Sequence, residues 1–314
     1  MSRSVVRRNE MMGATLDLGG APIELAEYAT TGLLAIAIGP RGNGKTNAGL
    51  LMAEQLSRQG WVSVLVDPEG ELESLYGKAV SDAQALARRL EKRDKPIVVV
   101  AAGDATEFIA YGRALLEAAD VHRKPIFLMI DEGQVFSSTK KRKDDVGEAV
   151  DIINQFAERG RKRALDLFVT AHRYTGSIHR SLFANKNLTL IGCQEDPTAW
   201  AALAPQFRAS KIEFNDLNAL APGEFFCFSR RGVEKMRMPM ADALGHVAPK
   251  AKAVKRALPS TFSQWNRAMM EISDDRLAAL SDRVVSFLGA VAGLAPQQML
   301  SGVRALQDER EARQ

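Results

Sequence analysis

The sequence predicts an α/β domain built on a parallel central sheet flanked by helices on both faces, followed by a small C-terminal helical appendage. Three observations carry this. Apolar runs of four to six residues alternate with helical patterns from about residue 15 to 240. The runs lack polar alternation, as strands buried on both faces do. Near the C-terminus the strand-like runs stop, and apolar residues recur only at helical spacing.

Taken in order, 33–38, 62–66, 97–101, 126–130, 165–170 and 188–191 read as strands. Residues 45–58, 82–92, 106–119 and 145–160 read as helices between them, and strands alternating with helices imply a parallel sheet. Residues 224–229 and 234–238, joined by Arg230-Arg231-Gly232-Val233, resemble a hairpin that extends one sheet edge. The expected organisation is an arm over 1–14, the main domain over 15–245, a basic linker over 246–260 and a helical appendage over 261–314. In the appendage Leu277, Leu280, Val284, Val285 and Leu288 form the first apolar stripe.

Composition excludes several classes. With 46% hydrophobic and 25% charged residues among 314, the chain is not disordered throughout. A net charge of +4 is too small to identify an anionic partner, so local clustering decides. Cys193 and Cys227 are too few for a disulfide framework and read as small core residues. The first twelve residues lack a signal-peptide apolar region, and no run approaches the roughly 20 apolar residues that span a bilayer. A cytoplasmic setting is expected. His122, His179 and His246 lack metal-ligand spacing, and Ser177 and Ser181 lack a nucleophile elbow.

The strongest motif is Gly39-Pro40-Arg41-Gly42-Asn43-Gly44-Lys45-Thr46, which satisfies G-x-x-x-x-G-K-[ST] at every fixed position. Its glycines let successive backbone N–H groups approach phosphate oxygens, and the following helix, with Asn47 in its first turn, adds its positive end. Lys45 reaches the β and γ phosphates, and the Thr46 hydroxyl binds Mg²⁺. Downstream, Ile126-Phe127-Leu128-Met129-Ile130 ends in Asp131-Glu132. Asp131 is expected to hold Mg²⁺ through water and Glu132 to polarise the attacking water as general base. The expected cofactors are ATP and Mg²⁺, and the expected enzyme is an ATP hydrolase.

Four stretches resemble the HerA/FtsK superfamily of ring-forming DNA-pumping ATPases. They are the segment 35–46, Asp67-Pro68-Glu69-Gly70-Glu71 (with Glu69 where His is usual), Asp131-Glu132-Gly133-Gln134, and the run from Arg161 to Arg173. The resemblance covers about residues 15 to 240 and implies a RecA-like core. His172 stands where the family has a strand-end Gln, and the resemblance implies that it senses the γ-phosphate. A strand-end cap is the plainer reading. Arg161 aligns with the arginine that reaches a neighbour's γ-phosphate, with Arg159 and Arg163 as rivals. A trans arginine implies a homo-oligomeric ring, expected to be a hexamer.

Lys140-Lys141-Arg142-Lys143 follow the acidic pair in a polar loop and suit a phosphate backbone, although charge runs are often only solvated. The expected function is an ATP-driven translocase of duplex DNA, with a nuclease, portal or channel supplied by a partner. The alternative is an ATP-binding assembly switch, or a protein-remodelling ATPase, that moves no DNA.

Overall fold

The computed structural model describes residues 13–92, 95–121, 125–137, 144–163, 165–174 and 180–245. The expected linker and appendage, the loop 140–143 and most of the expected arm lie outside the described residues.

Two short strands, β1 (Thr15–Leu16) and β2 (Ile23–Glu24), pair antiparallel. The main sheet holds β3 (Leu34–Ile38), β4 (Val62–Asp67), β5 (Ile97–Ala101), β6 (Ile126–Ile130), β7 (Leu165–Ala171), β8 (Leu188–Ile191), β9 (Glu224–Ser229) and β10 (Gly232–Arg237). Between and after them run α1 (Lys45–Arg58), α2 (Glu73–Tyr76), α3 (Ala83–Lys92), α4 (Ala105–Val121), α5 (Gln134–Ser137), α6 (Asp144–Arg163), α7 (Arg180–Asn185), α8 (Pro197–Phe207), α9 (Phe214–Asn218) and α10 (Asp242–Gly245). The eight strands lie in the order β10-β9-β8-β3-β7-β6-β4-β5. From β8 to β5 every neighbouring pair is parallel, and β9 and β10 add antiparallel at the other edge.

Each central strand is largely apolar because it feeds two cores. In β7, Leu165, Leu167 and Val169 face the core under α3, α4 and α6, with Phe108, Leu115, Ile152 and Phe156. Phe168 points the other way, into the core shared with Ala48, Met52 and Leu56 of α1. This is the period of two expected for a strand covered on both sides. The one acid within the run, Asp166, accepts from Leu33 N at 2.9 Å and Trp61 Nε1 at 3.0 Å, so its burial is compensated. Helix α1 lies close on the sheet because Gly49 has no side chain: a Cβ there would meet Met129 Sδ at 2.6 Å and Phe168 Cε1 at 2.7 Å.

The edge hairpin differs from the sequence expectation. Gly232 pairs with Ser229, so the connection is Arg230-Arg231 and not four residues long. Gly232 takes φ 114°, which lets the strand resume at once. β4 and β7 each run one residue beyond their expected ends. The strands β1 and β2 are too short for any periodicity to register. They are held by long-range side chains of α1: Gln59 Oε1 accepts from Thr15 N at 2.9 Å, and Gln55 Oε1 from Asp17 N at 2.8 Å. Cys227 is buried as expected, but Cys193 is only partly buried. Among the described residues no helix is long and apolar enough to cross a membrane.

Candidate functional site

The strand order brings the carboxyl ends of β3, β7 and β6 side by side, the edge where open α/β sheets place their ligand sites. The loop after β3 spans residues 39–44. Gly42 takes φ 78° and Gly44 φ 94°, left-handed conformations that L side chains adopt at a cost. Gly44 caps α1, so Lys45 and Thr46 open that helix.

Lys45 is only 5% exposed and donates from Nζ to the Pro40 carbonyl at 2.9 Å. Burial pushes its pKa down, and the nearby carboxylates of Glu132 and Asp131 oppose the shift. Thr46 Oγ1 donates to Asp131 Oδ2 at 2.9 Å, joining the loop after β3 to the end of β6. Asp131 is raised above the ordinary carboxylate range by burial, against the hydroxyl bonds from Thr170 and Thr46 that favour its charged form.

Glu132 takes φ 48°, a left-handed conformation costing an L residue about 1–2 kcal/mol. Its backbone N–H is held by Thr170 Oγ1 at 2.9 Å. Its carboxylate oxygen Oε2 lies 2.7 Å from His172 Nε2 and also accepts from Gln134 Nε2. His172, expected at a phosphate, therefore sits against the acid expected to act as base.

The remaining loop positions separate into distinct duties. Asn43 is buried between two glycines: its Oδ1 lies 2.5 Å from where a Cβ on Gly39 would stand and 1.5 Å from one on Gly192. Its carbonyl accepts from Gly223 N at 3.0 Å. Asn47 spends its side chain on structure, donating to Pro239 O at 2.9 Å and accepting from Ala241 N at 2.8 Å. Any phosphate contact there belongs to its backbone. Pro40 contributes its carbonyl to Lys45, and Arg41 lies close enough to Lys45 to act on it electrostatically. Asp67 folds the stretch that follows β4: Oδ1 accepts from Glu69 N and Gly70 N at 3.1 and 3.0 Å, and Oδ2 from Leu72 N at 2.7 Å.

No protein-family model and no curated protein matches the sequence. Solved structures do match. The genome packaging NTPase B204 of Sulfolobus turreted icosahedral virus 2, in complex with ATP-gammaS, superposes with a TM-score of 0.51 at 14% identity, over 67% of this chain and 99% of that one. Its complex with sulfate gives 0.50 at 16% identity, over 67% and 98%. At such identity the likeness is one of fold. The chain has a P-loop NTPase fold.

Within that fold, Gly39, Gly42, Gly44, Lys45, Thr46, Asp131, Glu132 and His172 converge on one edge. Arg161, with Arg159 and Arg163, falls at the C-terminal end of α6. Lys140, Lys141, Arg142 and Lys143 lie outside the described residues. Sequence reading missed Thr170 and Gly192. Thr170 had a signal, a hydroxyl inside a buried run, whereas Gly192 had none because its reason is a side chain far away in sequence.

Gly192→Ala is expected to destabilise the protein by about 1–3 kcal/mol, because the new methyl overlaps Asn43. A lowered denaturation midpoint reads this. Adding Asn43→Ala in the same chain should recover most of the loss.

Proposed function

We propose that this chain is a Mg-ATP-dependent, ring-forming motor that hydrolyses ATP at subunit interfaces to move duplex DNA. The observation that carries the hydrolysis is the junction in which Thr46 binds Asp131 and Thr170 binds both Asp131 and Glu132.

The donor set fits the cofactors. Thr46 and Asp131 put a hydroxyl and a carboxylate oxygen 2.9 Å apart, and both keep lone pairs for a hard cation that prefers oxygen. Among the described residues no cluster of three or more His, Cys, Asp or Glu side chains could hold a metal by itself. Thr46 and Asp131 would thus hold Mg²⁺ together with phosphate and water oxygens. Mg²⁺ so bound offsets negative charge on the phosphate oxygens. The loop's left-handed glycines and the 14-residue helix behind it suit a polyphosphate.

Each side chain then has a task. Lys45 exchanges the Pro40 carbonyl for phosphate oxygens. Glu132 accepts the proton of the attacking water, held in place by Thr170. His172 lies against Glu132, where it can respond to an arriving γ-phosphate. An arginine from the end of a neighbour's α6, Arg161 in this reading, stabilises charge that a lone subunit leaves uncompensated. Duplex DNA is assigned to Lys140, Lys141, Arg142 and Lys143, which connect α5 to α6 shortly after Glu132 in the chain. Four adjacent cations bind a phosphate backbone without reading bases. The shared fold with a genome packaging NTPase supports DNA as the polymer moved.

ATP turnover with and without linear duplex, at low and moderate salt, tests this. Several-fold stimulation that salt weakens is expected, and replacing Lys140, Lys141, Arg142 and Lys143 together by Ala should abolish it while basal turnover persists. Turnover indifferent to duplex would overturn the DNA motor and favour an assembly switch.

A further inference from the structure

We infer that Thr170 is the positioning residue that sets both acidic side chains of this site, an inference that rests on the ATPase reading. It reaches three consecutive residues of the turn after β6. Its Oγ1 donates to Asp131 Oδ1 at 2.6 Å and accepts from Glu132 N at 2.9 Å. Its carbonyl accepts from Gly133 N at 2.9 Å.

The position of these bonds explains their weight. β6 and β7 pair in parallel up to Ile130 and Val169, so Thr170 stands where the ladder ends and the turn departs. The turn then holds Glu132 at φ 48°, which an L residue keeps only when its surroundings fix it. Gly133 completes the fit, since a Cβ there would come within 2.4 Å of Val169 Cγ1.

Asp131 is held from two elements. One carboxylate oxygen takes the Thr170 hydroxyl from β7 and the other takes the Thr46 hydroxyl from α1, which fixes the plane of the carboxylate. Two residues beyond Thr170, His172 Nε2 meets the Glu132 carboxylate. The end of β7 thus holds Glu132 by both its backbone and its side chain. Thr170 itself is fully buried, so it touches no substrate and acts only through the two acids.

The test compares wild type, Thr170→Val and Thr170→Ser in full-length protein. Val keeps the shape and removes the hydroxyl, whereas Ser keeps the hydroxyl. In Thr170→Val, kcat should fall about 10-fold or more, because small misplacements of reacting groups are costly. Binding of ATP measured without Mg²⁺ should stay within about 2-fold, and the Mg²⁺ concentration for half-maximal turnover should rise several-fold. Thr170→Ser should keep turnover within about 3-fold of wild type. Wild-type turnover in Thr170→Val overturns the inference. So does equal loss in the Val and Ser variants, or a loss of kcat and metal-free ATP affinity together with a lowered unfolding midpoint, since each is what a merely structural residue would give. An inactive wild type would overturn the ATPase reading and this inference together.

Discussion

Glu132→Gln is expected to bind Mg-ATP nearly as well as wild type and to hydrolyse it at least about 100-fold more slowly, the low end of what a positioned general base contributes. The amide has the volume of the carboxylate and keeps one oxygen that can accept from His172 or Gln134, both of which bond the carboxylate in the native site. It cannot take a proton from water. Affinity should survive because Lys45 and the phosphate loop lie on other elements and do not depend on that proton. Phosphate release under saturating ATP, beside a fluorescent-nucleotide titration, separates the two quantities. Turnover within a few-fold of wild type would move the base elsewhere.

Lys45→Ala is expected to act one step earlier, lowering ATP affinity by about 100-fold or more. Loss of one partner from a buried charge pair costs about 3–5 kcal/mol, and each 1.4 kcal/mol is tenfold in affinity. Stability should not follow affinity. Burial lowers the Lys45 pKa below its ordinary value of 10.5, so the unfolded chain binds the proton more readily than the folded one. That penalty is fully present below the lowered pKa and fades as pH rises toward 10.5. At neutral pH the nucleotide-free Ala variant should therefore unfold no more easily than wild type. A large drop in its melting temperature would mean that the lysine serves the fold.

Much of this site could be read before the fold was known, for a definite reason. The phosphate loop and the acidic pair each combine chemistry with local context: an apolar run, then a short string of required residue types. Strand positions were legible because β3, β4, β6 and β7 are buried on both faces, which makes most of each segment apolar. The sheet order was not, because β3 lies between β7 and β8, which are distant in sequence. The same limit hid what orders the site. Thr170 matters through Asp131, 39 residues away, and through Glu132, 38 away. Gly192 matters through Asn43, whose amide fills the space that a side chain would need. The side chain of Asn47 bonds Pro239 and Ala241, a pairing that no local pattern announces.

The central claim is that one edge of this sheet binds and cleaves Mg-ATP. Inorganic phosphate release from ATP by the purified chain, with Mg²⁺ and with the metal chelated, tests it most directly. Turnover is expected to require Mg²⁺ and to disappear in both Glu132→Gln and Lys45→Ala. Turnover that persists in either variant, or a wild type that neither binds nor hydrolyses ATP, would contradict it.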